Sequence, residues 1–180
     1  KLSAPQGVFA TATKTMAETA PLASIVTYEF AEREGMPPVR IIWYDGGLQP
    51  PRPVELGGQT LPEEGALYFG DEGKLLYSWG GIKLLPESRE AKAKDIPKTL
   101  PRRSGTWREW FEACAGGEPA GCHFDWAVPL TELVLLGNIA IRTGQPLAWD
   151  AARMTFTNHA PANQFVQEPY HNGWSLEAKL

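Results

Sequence analysis

No run of about 18 apolar residues occurs in the 180-residue chain, so no membrane-spanning segment is expected. Residues 1–30 also lack the basic start and apolar block of a signal peptide. The chain opens at Lys1 without an initiator Met, the look of a processed or excised piece, or of an ordinary start with the Met removed. Positive charge is scarce as well. The net charge is −4, and the densest basic spot, Pro101-Arg102-Arg103, is too short to follow a phosphate backbone, which argues against a nucleic-acid partner.

Cysteine is almost absent. Cys114 and Cys122 stand eight positions apart across a Gly-rich loop, without the second pair or paired histidines of a zinc site. A disulfide closing that loop is one reading and two buried or half-buried thiols the other, so these residues fix no redox compartment. The three histidines, His123, His159 and His171, are not spaced as metal ligands and read as surface or capping residues. No GxGxxG follows a strand, and neither GxxxxGK[ST] nor GxSxG occurs.

What is present is an ordinary globular composition, 43% hydrophobic and 21% charged, enough for one domain with a real core. Three β-rich stretches come first, at residues 7–15, 22–30 and 39–44, joined by turns without intervening helices, so antiparallel meander pairing is expected. Residues 46–64 hold four prolines and four glycines and predict a long irregular loop, a lid, an arm or a disordered segment. A hairpin follows at 65–79 around Gly70-Asp71-Glu72-Gly73, which joins two strands and so is no phosphate cradle. Residues 86–105 predict a surface excursion with one short helix.

The period then changes. Thr106 with Glu109 predicts a capping box, and Trp107, Trp110, Phe111 and Cys114 fall on one helical face. A second helix is expected from Pro129 to Thr143, ending at Gly144. It is apolar nearly all round and therefore buried, with Gly137 permitting close approach of another element. Short extended pieces at 147–149 and 154–157 precede a tail, 158–180, with one short helix. Strands before helices indicate a single α+β domain over 1–180, an open, mainly antiparallel sheet with helices packed on one face.

Two acids are flanked by aromatics: Asp45 after Trp43 and Tyr44, and Asp125 between Phe124 and Trp126. Such an acid can hold a sugar hydroxyl while a ring stacks below it. Equally, Asp45 can start a turn and Asp125 can cap the second helix. Trp43, Tyr44, Asp45, His123 and Asp125 are the candidate substrate-binding residues. Seven tryptophans suit a carbohydrate or polyol ligand and a protein interface alike.

The order of landmarks resembles the C-terminal α/β region of the Gfo/Idh/MocA oxidoreductases, in a bacterial subgroup. The stretches that carry it are TAPLASIVTYEF (19–30), MPPVRIIWYDGGLQPPRP (36–53), LPEEGALYFGDEGKLL (61–76), residues 99–150, and MTFTNHAPANQFVQEPYHNGWSL (154–176). WYDGG before a Pro-rich loop is the most specific of them. The resemblance implies a dihydrodipicolinate-reductase-like C-terminal domain whose outer sheet face makes homo-oligomer contacts. It also implies a partner Rossmann domain holding NAD or NADP, and hydride transfer on a sugar, inositol or related polyol. The nucleotide fingerprint, the EKP-type lysine motif and the DxGxH-type motif of that family do not occur here. No catalytic or cofactor-binding residue is therefore assigned, and the chain alone is expected to bind no nicotinamide and to be inactive. The rival expectation is a non-enzymatic saccharide-binding or scaffold module.

Overall fold

Alternation of apolar and small residues in GVFATA, with β-branched and aromatic residues in SIVTYEF and VRIIWYD, produces the first three strands, because side chains at every second position share one face. The computed structural model describes residues 2, 4–93, 96–167 and 169–173, so residue 168 and the end of the expected tail, 174–180, lie outside the described residues. In chain order the elements are β1 (Gly7–Ala12), β2 (Ser24–Phe30), β3 (Val39–Asp45), β4 (Ala66–Gly70), β5 (Gly73–Ser78), β6 (Gly81–Leu85), α1 (Glu90–Ala93), α2 (Thr106–Cys114), α3 (Phe124–Thr143), β7 (Leu147–Asp150) and β8 (Thr155–Phe156). Short 3-10 turns lie at Val54–Leu56, Glu87–Arg89 and Ala160–Phe165. The fold is α+β with antiparallel sheets. Its contacts divide into two compact units, Lys1–Leu48 with Cys122–Leu180, and Gln49–Gly121.

The first unit is a five-stranded sheet in the order β3-β2-β1-β7-β8, every neighbour antiparallel. The expected meander of the first three strands is present. Register puts Val8 opposite Tyr28 and Leu147, and Tyr28 opposite Ile41, so these side chains share one face. That face carries the core: Val8, Val26, Tyr28, Phe30, Leu147, Trp149 and Phe156 from the sheet, with Leu136, Ile139 and Ala140 from α3. Its other face bears the rows Phe9–Thr27–Ile42 and Thr11–Ile25–Tyr44, and Phe9 and Ile42 are exposed.

Gly137 lets α3 lie directly on the sheet. A Cβ there would overlap the Tyr28 hydroxyl oxygen, and would stand 3.1 Å from Tyr28 Cζ and 3.3 Å from Val26 Cγ1. The close approach expected of this glycine is therefore real, and burial pushes the Tyr28 phenol up to about 12. At the sheet's β7 side, Trp149 Nε1 donates to Glu132 Oε1 at 2.7 Å, satisfying an indole N–H that is otherwise cut off from water.

Two expectations for α3 need correction. It begins at Phe124, five residues before Pro129, which sits inside the helix. Nor is it buried all round: Leu136, Gly137, Ile139 and Ala140 are buried, whereas Phe124, Leu130, Val134 and Leu135 are exposed. The sheet is narrow and covers only one stripe of the C-terminal half. By length and composition alone this 20-residue helix could cross a membrane. Its end is as expected, with Gly144 in the left-handed region (φ 60°) donating to the Ala140 carbonyl at 3.0 Å.

The second unit is a three-stranded meander, β4-β5-β6. β4 and β5 turn over Asp71-Glu72 as expected, and β6 adds a strand that the sequence reading left out. Leu67, Leu76 and Leu85 face one side, where Leu56 and Leu61 of the Pro/Gly loop cover them. Arg52 stitches that loop by donating to the carbonyls of Gly57 and Gln59, and Lys83 Nζ donates to Gln59 Oε1 at 3.1 Å. The 46–64 segment is thus an ordered cover on its sheet over most of its length.

Helix α2 forms at the expected place with a different start. Its N-cap is Gly105 (φ 107°), no side chain caps it, and Thr106 is already helical. The Glu109 carboxylate accepts the Gly121 N–H at 2.7 Å instead of closing a capping box. Trp107, Trp110, Phe111 and Cys114 do share a face, yet no residue of the helix is buried. Both Cys114 and Cys122 are free and exposed, which corrects the expectation of buried or half-buried thiols.

Candidate functional site

β3 is the edge of the five-stranded sheet, and its last three residues are the aromatic-acid stretch singled out above. Strand alternation separates them. Trp43 pairs with Val26 and Asp45 with Ser24, on the face that carries α3. Tyr44 pairs with Ile25 and points to the opposite face. Trp43 is 58% exposed, so its ring lies on the surface, not in the core.

The turn after Asp45 is tight. Its Oδ1 accepts the N–H of Gly46 at 2.8 Å, the local bond of an acid that starts a turn. Gly46 has φ 69°, and a Cβ there would come within 2.7 Å of Ala23 Cβ, so only glycine lets the chain leave β3 against residues 22–23. The turn-starting role of Asp45 is therefore filled, and its second carboxylate oxygen has no bond described.

His123 and Asp125 belong to another part of the unit. His123 is the N-cap residue of α3, with no side-chain cap bond, and Asp125 stands in the first turn, its side chain 95% exposed. His123 Nδ1 lies 3.5 Å from Asp125 Oδ2. An acid in the first turn is favourable beside the helix N-terminal dipole. The alternative role of Asp125, as the cap of a helix starting near Pro129, is not the one it plays, because the helix starts before it.

Two contacts fix the direction of α3. Glu132 meets Trp149, whose backbone N–H is bonded to the Gln6 carbonyl at 3.0 Å, at one end of β1. Gly137 lies over Val26 and Tyr28, further along toward Ser24 and Asp45. The helix therefore runs from the Gln6 end toward the Asp45 end. His123 is 14 residues before Gly137, about 21 Å back along the axis. Trp43 with Asp45, and His123 with Asp125, stand at opposite ends of the sheet, and Tyr44 lies on its other side.

In the second unit, a groove at the Gly70–Gly73 turn is lined by Phe69, Lys74, Leu84, Arg89 and Ile96, and by none of the five candidates. Lys74 Nζ pairs with Glu55 and lies 5.8 Å from the centre of the Phe69 ring. The hydrogen bond from Lys74 holds the Glu55 carboxyl below its ordinary value, and the other oxygen, Oε2, is buried without a partner. Sequence reasoning missed this pair, since 19 residues and two unrelated elements separate its members. Among the described residues no group of three or more His, Cys, Asp and Glu side chains gathers as a metal site.

No protein-family model matches the chain, and no curated protein matches it.

Proposed function

We propose that this chain is the sheet-bearing C-terminal region of an NAD(P)-dependent oxidoreductase of the Gfo/Idh/MocA kind. It takes a sugar, inositol or related polyol for hydride transfer, assembles through the open face of its five-stranded sheet, and is inactive alone. The observation that carries the reading is the antiparallel sheet with one helix on one face and the exposed apolar side chains Phe9 and Ile42, flanking the buried Thr27, on the other. A face of that kind needs a partner. It accompanies the WYDGG and Pro-rich stretches on which the resemblance rests.

The substrate end falls to Trp43 and Asp45, which share a face beside one another's strand neighbours. A ring can stack on the apolar side of a sugar while the free carboxylate oxygen accepts a hydroxyl. The nicotinamide does not fit this chain. Among the described residues neither α2 nor α3 follows a strand, and α1 follows β6 through Pro86 and a 3-10 turn without glycine, so none of these helix N-termini is built to receive a pyrophosphate. No step is assigned to the cofactor here, and a Rossmann partner has to supply it.

The separation of His123 and Asp125 from Trp43 and Asp45 favours a second reading, a saccharide-binding or scaffold module without chemistry. Catalysis requires its groups to converge on one reacting atom. Titration with myo-inositol and glucose, followed by tryptophan fluorescence, separates the two. The enzyme reading expects weak binding that Asp45→Ala abolishes, and turnover only when a nicotinamide-binding partner is added. Binding unaffected by Asp45→Ala removes that residue, and a strictly monomeric chain in light scattering counts against the assembling face.

A further inference from the structure

The five-stranded sheet has two edges of different character. β8 is two residues long, too short to offer a ladder. β3 runs for seven residues, and among the described residues its backbone pairs only with β2. Its outer N–H and C=O groups therefore form an open row, which is a template for another strand. Proteins blunt such edges with proline, lysine, a bulge or a charge at mid-strand. β3 has none of these. Its register with β2 is unbroken over all seven pairs, and its charged residues, Arg40 and Asp45, stand near the ends. The middle is Ile41-Ile42-Trp43, with Ile42 and Trp43 exposed.

We infer that β3 pairs antiparallel with β3 of a second copy, across a two-fold axis that passes by Ile42 perpendicular to the sheet. The strand's own sequence argues for that occupant. The register centred on Ile42 pairs all seven residues. Centring it on Ile41 instead sets Tyr44 and Asp45 against Pro38 and Pro37, and centring it on Trp43 sets Arg40 and Val39 against Gly46 and Gly47. With Ile42 at the centre, Ile42 meets itself, Ile41 meets Trp43 twice, and Arg40 meets Tyr44 twice. Apolar therefore meets apolar in the middle, a guanidinium lies beside a phenol ring, and no like charges are opposed. On the open side of the sheet, the row Phe9–Thr27–Ile42 continues across the joint into the same row of the second copy. Because β8 is too short to pair in turn, growth through the edges closes at two copies and does not run on as a fibre. This contact uses the edge of the sheet, whereas the assembly proposed above uses its open face, and neither depends on the other.

The test is a mixed cross-link on the full chain. Ile41 and Trp43 point to the face that carries α3, so a disulfide between them does not report the open face. In the paired edge their Cα atoms stand opposed at about 4.5–5.5 Å, within the reach of a disulfide. Chains carrying Ile41→Cys and Trp43→Cys, each with Cys114→Ser and Cys122→Ser, are mixed and mildly oxidised, with urea unfolding as the check on their fold. The mixture is expected to yield a disulfide-linked dimer holding one chain of each kind. Either variant alone is expected to yield little, since its two thiols stand two residues out of register. As a second measurement, light scattering is expected to give the parent a mass that is a multiple of 19.8 kDa. Trp43→Lys, an exposed change that acts twice in the dimer, is expected to raise the dissociation constant about tenfold or more. A monomeric parent overturns the inference, and so does a constant that Trp43→Lys leaves unchanged. A multimer that gives no mixed dimer overturns this inference alone and leaves the open-face contact standing.

Discussion

Replacing Gly137 with alanine sets two known effects against each other. Alanine in a helix interior is favoured over glycine by about 1 kcal/mol. Against this, the new methyl would overlap the Tyr28 hydroxyl and approach its Cζ to 3.1 Å and Val26 Cγ1 to 3.3 Å. Tyr28 is only 5% exposed and is packed between strands, so its ring cannot swing clear. Overpacking of this kind costs about 1–3 kcal/mol. Because the overlap is outright, the upper half of that range applies, and Gly137→Ala should destabilise by about 1–2 kcal/mol net. For a chain of this size the midpoint falls by roughly 2–4 °C per kcal/mol. The companion change is Tyr28→Phe, which deletes the obstructing oxygen and leaves the ring. In that background Gly137→Ala should fall close to neutral, within about 1 kcal/mol either way, since the helix preference is then set only against the tight approaches to Cζ at 3.1 Å and Val26 Cγ1 at 3.3 Å. Urea unfolding of the four chains gives the coupling as a double-mutant cycle, expected at about 1.5 kcal/mol or more. Equal destabilisation in both backgrounds refutes the account, for the hydroxyl would then not be what Gly137 makes room for.

Three further outcomes follow from single contacts. Glu132→Leu strands the Trp149 indole N–H and should cost about 1–3 kcal/mol in urea unfolding, while Glu132→Gln, which still offers an oxygen, should cost much less. The Glu55 carboxyl is held below its ordinary 4.5 by the bond from Lys74. A lowered folded value means that its stabilising share is present above pH 4.5 and is lost as pH falls through the folded value. Lys74→Met should flatten that acid limb of the stability curve, and an unchanged limb sinks the pair as its cause. Both thiols should react with a chromogenic disulfide reagent in the native protein, two per chain, because Cys114 and Cys122 are free and exposed. Reaction only after denaturant would contradict their placement.

Much of the local structure was legible in the sequence because it is set by neighbours along the chain. Alternation in 7–12, 24–30 and 39–45 gives the meander, Gly70 and Gly73 bracket a two-residue turn, and Gly144 ends α3. Gly137 announced itself as the one residue without a side chain in an apolar helix. β6 was overlooked because Gly81–Leu85 is five residues long and is recognised as a strand mainly by its pairing with β5. Thr106 and Glu109 satisfy the spacing of a capping box, yet Gly105 enters the helix at positive φ and frees Glu109 to hold Gly121.

The sequence by itself determined periods: which residues alternate, which share a helical stripe, and where glycine must interrupt. Only the tertiary structure decided which of those stripes are covered. Trp107, Trp110 and Phe111 have the spacing of a buried face and are exposed, while Thr27 lies on the open side of its sheet and is buried between Phe9 and Ile42. The same holds for the candidate site. Trp43, Tyr44 and Asp45 are adjacent in sequence, but the two-residue period of a strand sends Tyr44 to the opposite face. His123 and Asp125 went to the far end of the sheet because a 20-residue helix anchored through Glu132 and Gly137 carries its first turn beyond the strands it packs on. Adjacency along a chain fixes side-chain direction, whereas proximity in space depends on how elements of different rise are laid across one another.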